Sequence, residues 1–115
     1  MGFSEAVSTV FSKYAVFSGR ARRSEFWWFI LFNVIATAIL GIIGRAVIGN
    51  DILADIYSLA VLIPTLSVSV RRLHDIDRSG WWLFLGLVPL VGGLVLLFWY
   101  IKQGTPGTNS FGPAV

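Results

Sequence analysis

The residues of this chain best able to do chemistry lie in one short stretch, Arg71-Arg72-Leu73-His74-Asp75-Ile76-Asp77-Arg78-Ser79-Gly80-Trp81-Trp82. It carries the single histidine of the chain and lies between two long apolar runs. An imidazole has a reference pKa of about 6.5, so His74 could move a proton while Asp75 orients the ring. His74, Asp75 and Asp77 are also metal-ligand types, but a stable site wants about three or four protein ligands. The other acids, Glu5, Glu25, Asp51 and Asp55, are scattered along the chain. The His-Asp doublet is shared with phosphohydrolase sites, which need further histidines. There is no cysteine, hence no thiolate nucleophile, disulfide or cysteine metal knuckle. No nucleophile elbow, phosphate-binding loop or dinucleotide fingerprint is present. The expectation is a protein that is not an enzyme, with no catalytic, cofactor-binding or metal-binding set. An enzyme using His74 on lipid or peptidyl substrates is the weakest alternative.

Charge offers a second reading of the same stretch. Asp75 and Asp77 sit among Arg71, Arg72, Arg78 and the earlier Arg20, Arg22 and Arg23, so carboxylate–guanidinium pairs can stitch the two segments together. Each such pair is worth only about 0.2 to 1 kcal/mol if exposed. Arginines left over face lipid phosphate, at about 1 kcal/mol per basic residue near an anionic surface. The candidate lipid- or partner-binding face is therefore Arg20, Arg22, Arg23, Arg71, Arg72, His74, Asp75, Asp77 and Arg78. The net charge of +3 belongs beside a membrane and not on nucleic acid.

The elements that must position these groups are dictated by solvent. The 115 residues are 56% hydrophobic and 13% charged, against about 25% charged in soluble domains. Three apolar runs, 26–44, 52–70 and 81–101, each approach the roughly 20 residues that a helix needs to cross a ~30 Å hydrocarbon core. Ala36-Thr37-Ala38 has the look of a processing site, but the long acidic lead-in and the apolar sequence beyond it argue for a retained span. Residues 2–18 place Phe3, Val7, Val10, Phe11, Tyr14 and Phe17 on one face, which predicts an amphipathic helix lying in the headgroup layer or capping the charged hinge. The fold class expected is an all-α membrane protein: three transmembrane helices, preceded by an N-terminal amphipathic interfacial helix, with a charged cytoplasmic hinge over 71–80 and an irregular C-terminal tail over 102–115.

Orientation follows from the basic residues. Lys13, Arg20, Arg22 and Arg23 precede the first run and Arg71, Arg72 and Arg78 follow the second, while Arg45 alone lies between the two. The positive-inside rule puts the N-terminus and the hinge in the cytoplasm. Ser24 and Ser79 are candidate helix caps. Each precedes a tryptophan pair, Trp27-Trp28 and Trp81-Trp82, at the depth where indoles anchor. A full third span, kinked at Pro89, sends the tail outward; a re-entrant turn there would return Trp99 and Tyr100 to the face they left. Polar and small residues at helical spacing, Asn33, Thr37 and Gly41, then Ser58, Thr65 and Ser69, then Gly86, Gly93 and Tyr100, suggest faces along which helices pack. Asp55 is expected to pair with Arg45 unless it is interfacial. Phe111 is the one sizeable anchor in the tail.

Three segments, Gly19-Arg20-Ala21-Arg22-Arg23-Ser24-Glu25-Phe26-Trp27, Arg71-Arg72-Leu73-His74-Asp75 with Arg78-Ser79-Gly80-Trp81-Trp82, and Gly104-Thr105-Pro106-Gly107-Thr108-Asn109-Ser110-Phe111-Gly112-Pro113, together resemble the bacterial inner-membrane family called domain of unknown function 805. Ser110 stands where a basic residue is common, and no acidic residue follows Gly112-Pro113. The resemblance implies a multi-pass protein of the bacterial inner membrane and lends no activity. The function expected is a non-enzymatic protein that binds anionic lipid headgroups or a partner membrane protein. A homo-oligomeric transporter or channel subunit, assembled through the polar stripes, is the alternative.

Overall fold

The computed structural model describes residues 2–115, and among them there are helices and no strands beyond an isolated bridge between Asn109 and Gly112. Helix α1 is Phe3–Ser12, shorter than the amphipathic pattern foretold. Its aromatics meet protein: Phe3 packs edge-on against Trp28 at 5.7 Å, and Phe11 against Phe29 at 5.5 Å. Val10 joins Ala21, Phe26, Phe29 and Val68 in a buried cluster. The helix expected at the interface is laid across its neighbour, whose rings give the aromatic face a packed surface, while Phe3 and Phe11 stay 40% and 36% exposed.

Helix α2, Arg23–Val47, has 25 residues and is about 37 Å long at 1.5 Å per residue. Among the described residues it is the one helix long and apolar enough to cross a bilayer by itself. Ser24 is not its cap, since the helix already includes it; Arg22 holds the cap position, and Glu25 places a negative charge in the first turn, where the helix dipole favours one.

The run expected as one span over 52–70 is broken. Helices α3, Ile52–Ala60, and α4, Leu62–Asp75, meet at Val61 with a 45° bend. The cause is Pro64, which has no N–H for the carbonyl of Ala60, four residues back. That carbonyl is instead taken by the hydroxyl of Tyr14. At the far end α4 stops in a Schellman arrangement, Arg78 N–H to Leu73 O and Asp77 N–H to His74 O, with Asp77 at φ 61° in the left-handed position usually given to glycine.

The greatest departure is in the third run. Residues 80–101 are not a kinked span but two short helices, a 3-10 segment Gly80–Leu87 and α5, Val91–Ile101. At about 2.0 and 1.5 Å per residue each covers roughly 16 Å, half of a hydrocarbon core. They fold back on each other: Gly92 lies so close to the Leu85 carbonyl that no side chain would fit, and Trp82 meets Trp99 edge-on at 5.6 Å. Gly86 and Gly93 therefore do not line one helix face with Tyr100; Gly86 faces Leu96 and Gly93 faces open space. Leu96 packs with Leu73 and Ile76, and Tyr100 touches both this cluster and the one under α1.

Candidate functional site

Most of the C-terminal half of α4 is buried, with Val70 half-buried beside a groove. Arg71 and Arg72 are 0% exposed, Arg20 4% and Asp75 5%, the opposite of the open face expected for them. Asp75 is the hub. Its Oδ1 accepts from Arg20 Nε at 2.9 Å and its Oδ2 from Arg72 Nη1 at 2.6 Å, so one carboxylate serves two guanidiniums. Gly104 lies against that carboxylate in a space where no Cβ could stand.

The arginine donors left over go to backbone carbonyls, most of them in the tail. Arg20 reaches Thr105 O at 2.5 Å and Gly107 O at 2.6 Å, while Arg72 reaches Tyr100 O at 3.2 Å and Lys102 O. In return the Asp75 carbonyl accepts from Thr105 N–H at 2.7 Å. A segment without periodicity is ordered in this way, because its backbone groups find partners in side chains. Phe111 supplies the apolar end of the latch, stacked on the His74 ring at 4.1 Å and 2°. Asn109 Nδ2 donates to His74 O at 2.9 Å, and Asp77 Oδ1 accepts from Ser110 N–H at 3.1 Å.

Arg71 is held differently. Its Nη1 donates to Glu25 Oε2 at 2.5 Å, tying α4 to the first turn of α2, while Nε and Nη2 are sealed without a hydrogen bond. Glu25 was not among the residues singled out from the sequence. The signal was available in its place directly after the arginine cluster.

Of the residues expected on the binding face, Arg22 and Arg23 are exposed; Arg22 has no ion pair among the described residues, and Arg23 only a 3.3 Å bond to Ile101 O. With Arg20, Asp75, the 103–106 stretch and the last two residues they line a polar pocket of about 250 Å³. Arg78 stands 4.3 Å over the Trp99 ring, a cation–π contact. Among the interfacial anchors, Trp81 is 78% exposed, Trp82 rests on Trp99, Trp28 on Phe3, and Trp27 donates to Tyr100 O at 3.1 Å. His74, Asp75 and Asp77 do not converge on a metal position, and no group of three such ligands exists among the described residues.

Away from this end, Arg45 pairs with Asp51 at 2.7 Å and not with Asp55, which is exposed. Asp51 lies in the turn itself, six positions after Arg45 and within reach of its guanidinium. Asn33 accepts from Tyr57 Oη at 2.7 Å, so part of the polar stripe on α2 is used within the chain.

The family described as "Protein of unknown function (DUF805)" has a sequence model that matches residues 14–113, which takes in the arginine hub, the hinge and the tail that closes over them. The chain belongs to the DUF805 family. Two DUF805 relatives from Escherichia coli K12 are "Inner membrane protein YhaH", 45% identical over 109 residues and 90% of each chain, and "Inner membrane protein YhaI", 45% identical over 106 residues covering 90% of this chain and 89% of the relative. "Uncharacterized protein YiiR" from the same strain is 38% identical over 74 residues, 63% of this chain and 49% of the relative. No solved structure matches this DUF805 chain.

Proposed function

We propose that this DUF805 protein is a non-enzymatic inner-membrane protein whose cytoplasmic face binds anionic lipid headgroups through Arg22 and Arg23. The observation that carries the reading is the difference between sealed and open arginines. Arg20, Arg71 and Arg72 spend their charge on Glu25, Asp75 and tail carbonyls, whereas Arg22 and Arg23 have no ion pair among the described residues and overhang a polar pocket whose Asp75 carboxylate is already taken by Arg20 and Arg72. The buried arginines are the frame, and the exposed two are the contact.

In this reading α2 and the bent α3–α4 pair cross the membrane, the 3-10 segment and α5 form a re-entrant hairpin, and both α1 and the tail are cytoplasmic. The positive-inside rule supports the side assigned to the arginines. The half-length helices and the return of Trp99 to Arg78 support re-entry, since the tail docks on the same hinge from which the hairpin departs. Helical backbone satisfies itself within the hairpin, whose two segments are joined by a tight turn at Val88, Pro89 and Leu90.

The test is retention of anionic lipid. Protein purified in mild detergent and examined by native mass spectrometry is expected to keep phosphatidylglycerol in preference to phosphatidylethanolamine. Arg22→Gln with Arg23→Gln should lower that preference by about 30-fold, from roughly 1 kcal/mol per charge. An unchanged preference in the double variant would refute the reading.

A further inference from the structure

A second site, separate from the arginine face, lies on the other side of His74. A groove of about 690 Å³ runs between α4 and the 3-10 segment, walled by Leu66, Val70, Leu83, Phe84 and Leu87 and ending at His74 and Ser79. Its size is within the range of small-molecule sites, roughly 300 to 1,000 Å³. Apolar walls with one polar end describe a place for a single chain with a polar head.

The polar end is unsatisfied. His74 is 9% exposed, and its Nδ1 lies 2.9 Å from the carbonyl of Gly19, which can only accept, so Nδ1 carries the proton and donates. Phe111 covers one face of the ring. Nε2 has no hydrogen-bond partner among the described residues, and the sealed unpartnered side-chain atoms there are both on Arg71. Nε2 therefore opens outward, and the groove is the cavity that this ring lines. Ser79 Oγ accepts from Trp81 N–H at 3.3 Å, which leaves its own O–H free to donate.

We infer that the groove binds a long-chain carboxylic acid, with the chain along Leu66, Val70 and Phe84 and the carboxyl group between His74 Nε2 and Ser79 Oγ. One carboxyl oxygen shares its proton with Nε2 while the other accepts from Ser79. The charged groups around the imidazole are Asp75, Asp77, Arg71, Arg72 and Arg78 on its own segment and Arg20 from the preceding loop; the 3-10 segment and the tail residues against the ring bring none. Without Arg22 and Arg23, the four arginines Arg20, Arg71, Arg72 and Arg78 still outnumber the carboxylates of Glu25, Asp75 and Asp77, and Arg78 has no carboxylate partner among the described residues, which favours an anionic or acidic head over a neutral or cationic one. A fatty acid has one chain and one such head.

The single histidine makes the test clean. Protein carrying ¹⁵N-labelled imidazole, in nanodiscs of phosphatidylcholine, is titrated with oleate while the ring nitrogens are followed by NMR. Nε2 is expected to move from its unprotonated position toward the protonated one and to saturate near one oleate per protein, with Nδ1 little changed. Ser79→Ala should weaken binding by about fivefold, the loss of one hydrogen bond. Leu66→Trp, and separately the exposed position Leu87→Trp, should abolish saturation while leaving the unliganded Nδ1 resonance in place. A shift linear in oleate without saturation, an equal response to oleyl alcohol, or saturation that survives both tryptophan variants would overturn the inference. None of these outcomes depends on Arg22 or Arg23, so failure here and failure of headgroup binding are read separately.

Discussion

Replacing Asp75 by asparagine isolates what one carboxylate does for the fold. The side chain changes by one atom in chemistry and hardly in shape, yet Arg20 and Arg72, 2% and 0% exposed at their side chains, lose their shared counter-charge. Breaking a buried ion pair by removing one partner costs about 3 to 5 kcal/mol, since the remaining charge cannot return to water. Asparagine keeps one carbonyl oxygen for Arg20, and Arg72 keeps carbonyl partners at Tyr100 and Lys102, which favours the lower end of that range. The expected loss is about 3 kcal/mol, or roughly 10 °C in Tm. The assay is thermal unfolding in nanodiscs, paired with trypsin cleavage after Lys102, an exposed residue at the root of the tail. Asp75→Asn should melt earlier and be cut faster, because the Arg20 and Arg72 contacts that hold the tail depend on the same charge. A variant that melts within 2 °C of the parent and resists trypsin equally would show that the hub is ornamental.

Three further outcomes are expected. Gly104→Ala drives a methyl group into a pinned carboxylate and should cost about 1 to 3 kcal/mol; its effect should shrink when combined with Asp75→Ala, measured as a double-mutant cycle of melting curves. Asp77→Asn should be nearly silent, since asparagine tolerates the left-handed backbone and can accept from Ser110 N–H, whereas Asp77→Ala should lose about 2 kcal/mol by chemical denaturation. The hydrogen bond from Arg45 holds the Asp51 carboxyl below its ordinary pKa, so its contribution is present above the unfolded carboxylate value near 3.9 and is lost as pH falls through the lower folded value. The small stability difference between the parent and Asp51→Asn should therefore persist at pH 6 and close below about pH 4 in acid unfolding curves.

Much of the frame could be read from residue order alone, and the failures have identifiable causes. The apolar run before Arg45 became α2 because nothing within it interrupts the backbone ladder. Pro64 shows the reverse: a reading by hydropathy passes over a residue that is apolar yet removes a donor, and so the 45° break between α3 and α4 within the expected run went unforeseen. At Val88-Pro89-Leu90 the break was visible but its consequence was not, since kink and return differ only in the contacts Trp82 makes with Trp99, 17 positions away in the chain. The hinge was recognised as the centre of charge, but burial inverted its meaning. Arginines are exposed by default, and only the arrival of Glu25 from one side and of the tail carbonyls from the other makes it possible to seal Arg20, Arg71 and Arg72. Phe111 as an anchor was legible; its partner, the flat face of His74, required three dimensions.

The order in which the chain is synthesised bears on that seal. Arg20 precedes Arg71 and Arg72, and the carbonyls of Thr105, Gly107 and Gly112 that receive Arg20 follow it by 85, 87 and 92 positions. Until those carbonyls are synthesised the Arg20 guanidinium lacks its tail acceptors and must stay solvated. Closure therefore waits for residues 105–112, and a nascent chain arrested near Lys102 would display a cationic surface that the folded protein conceals.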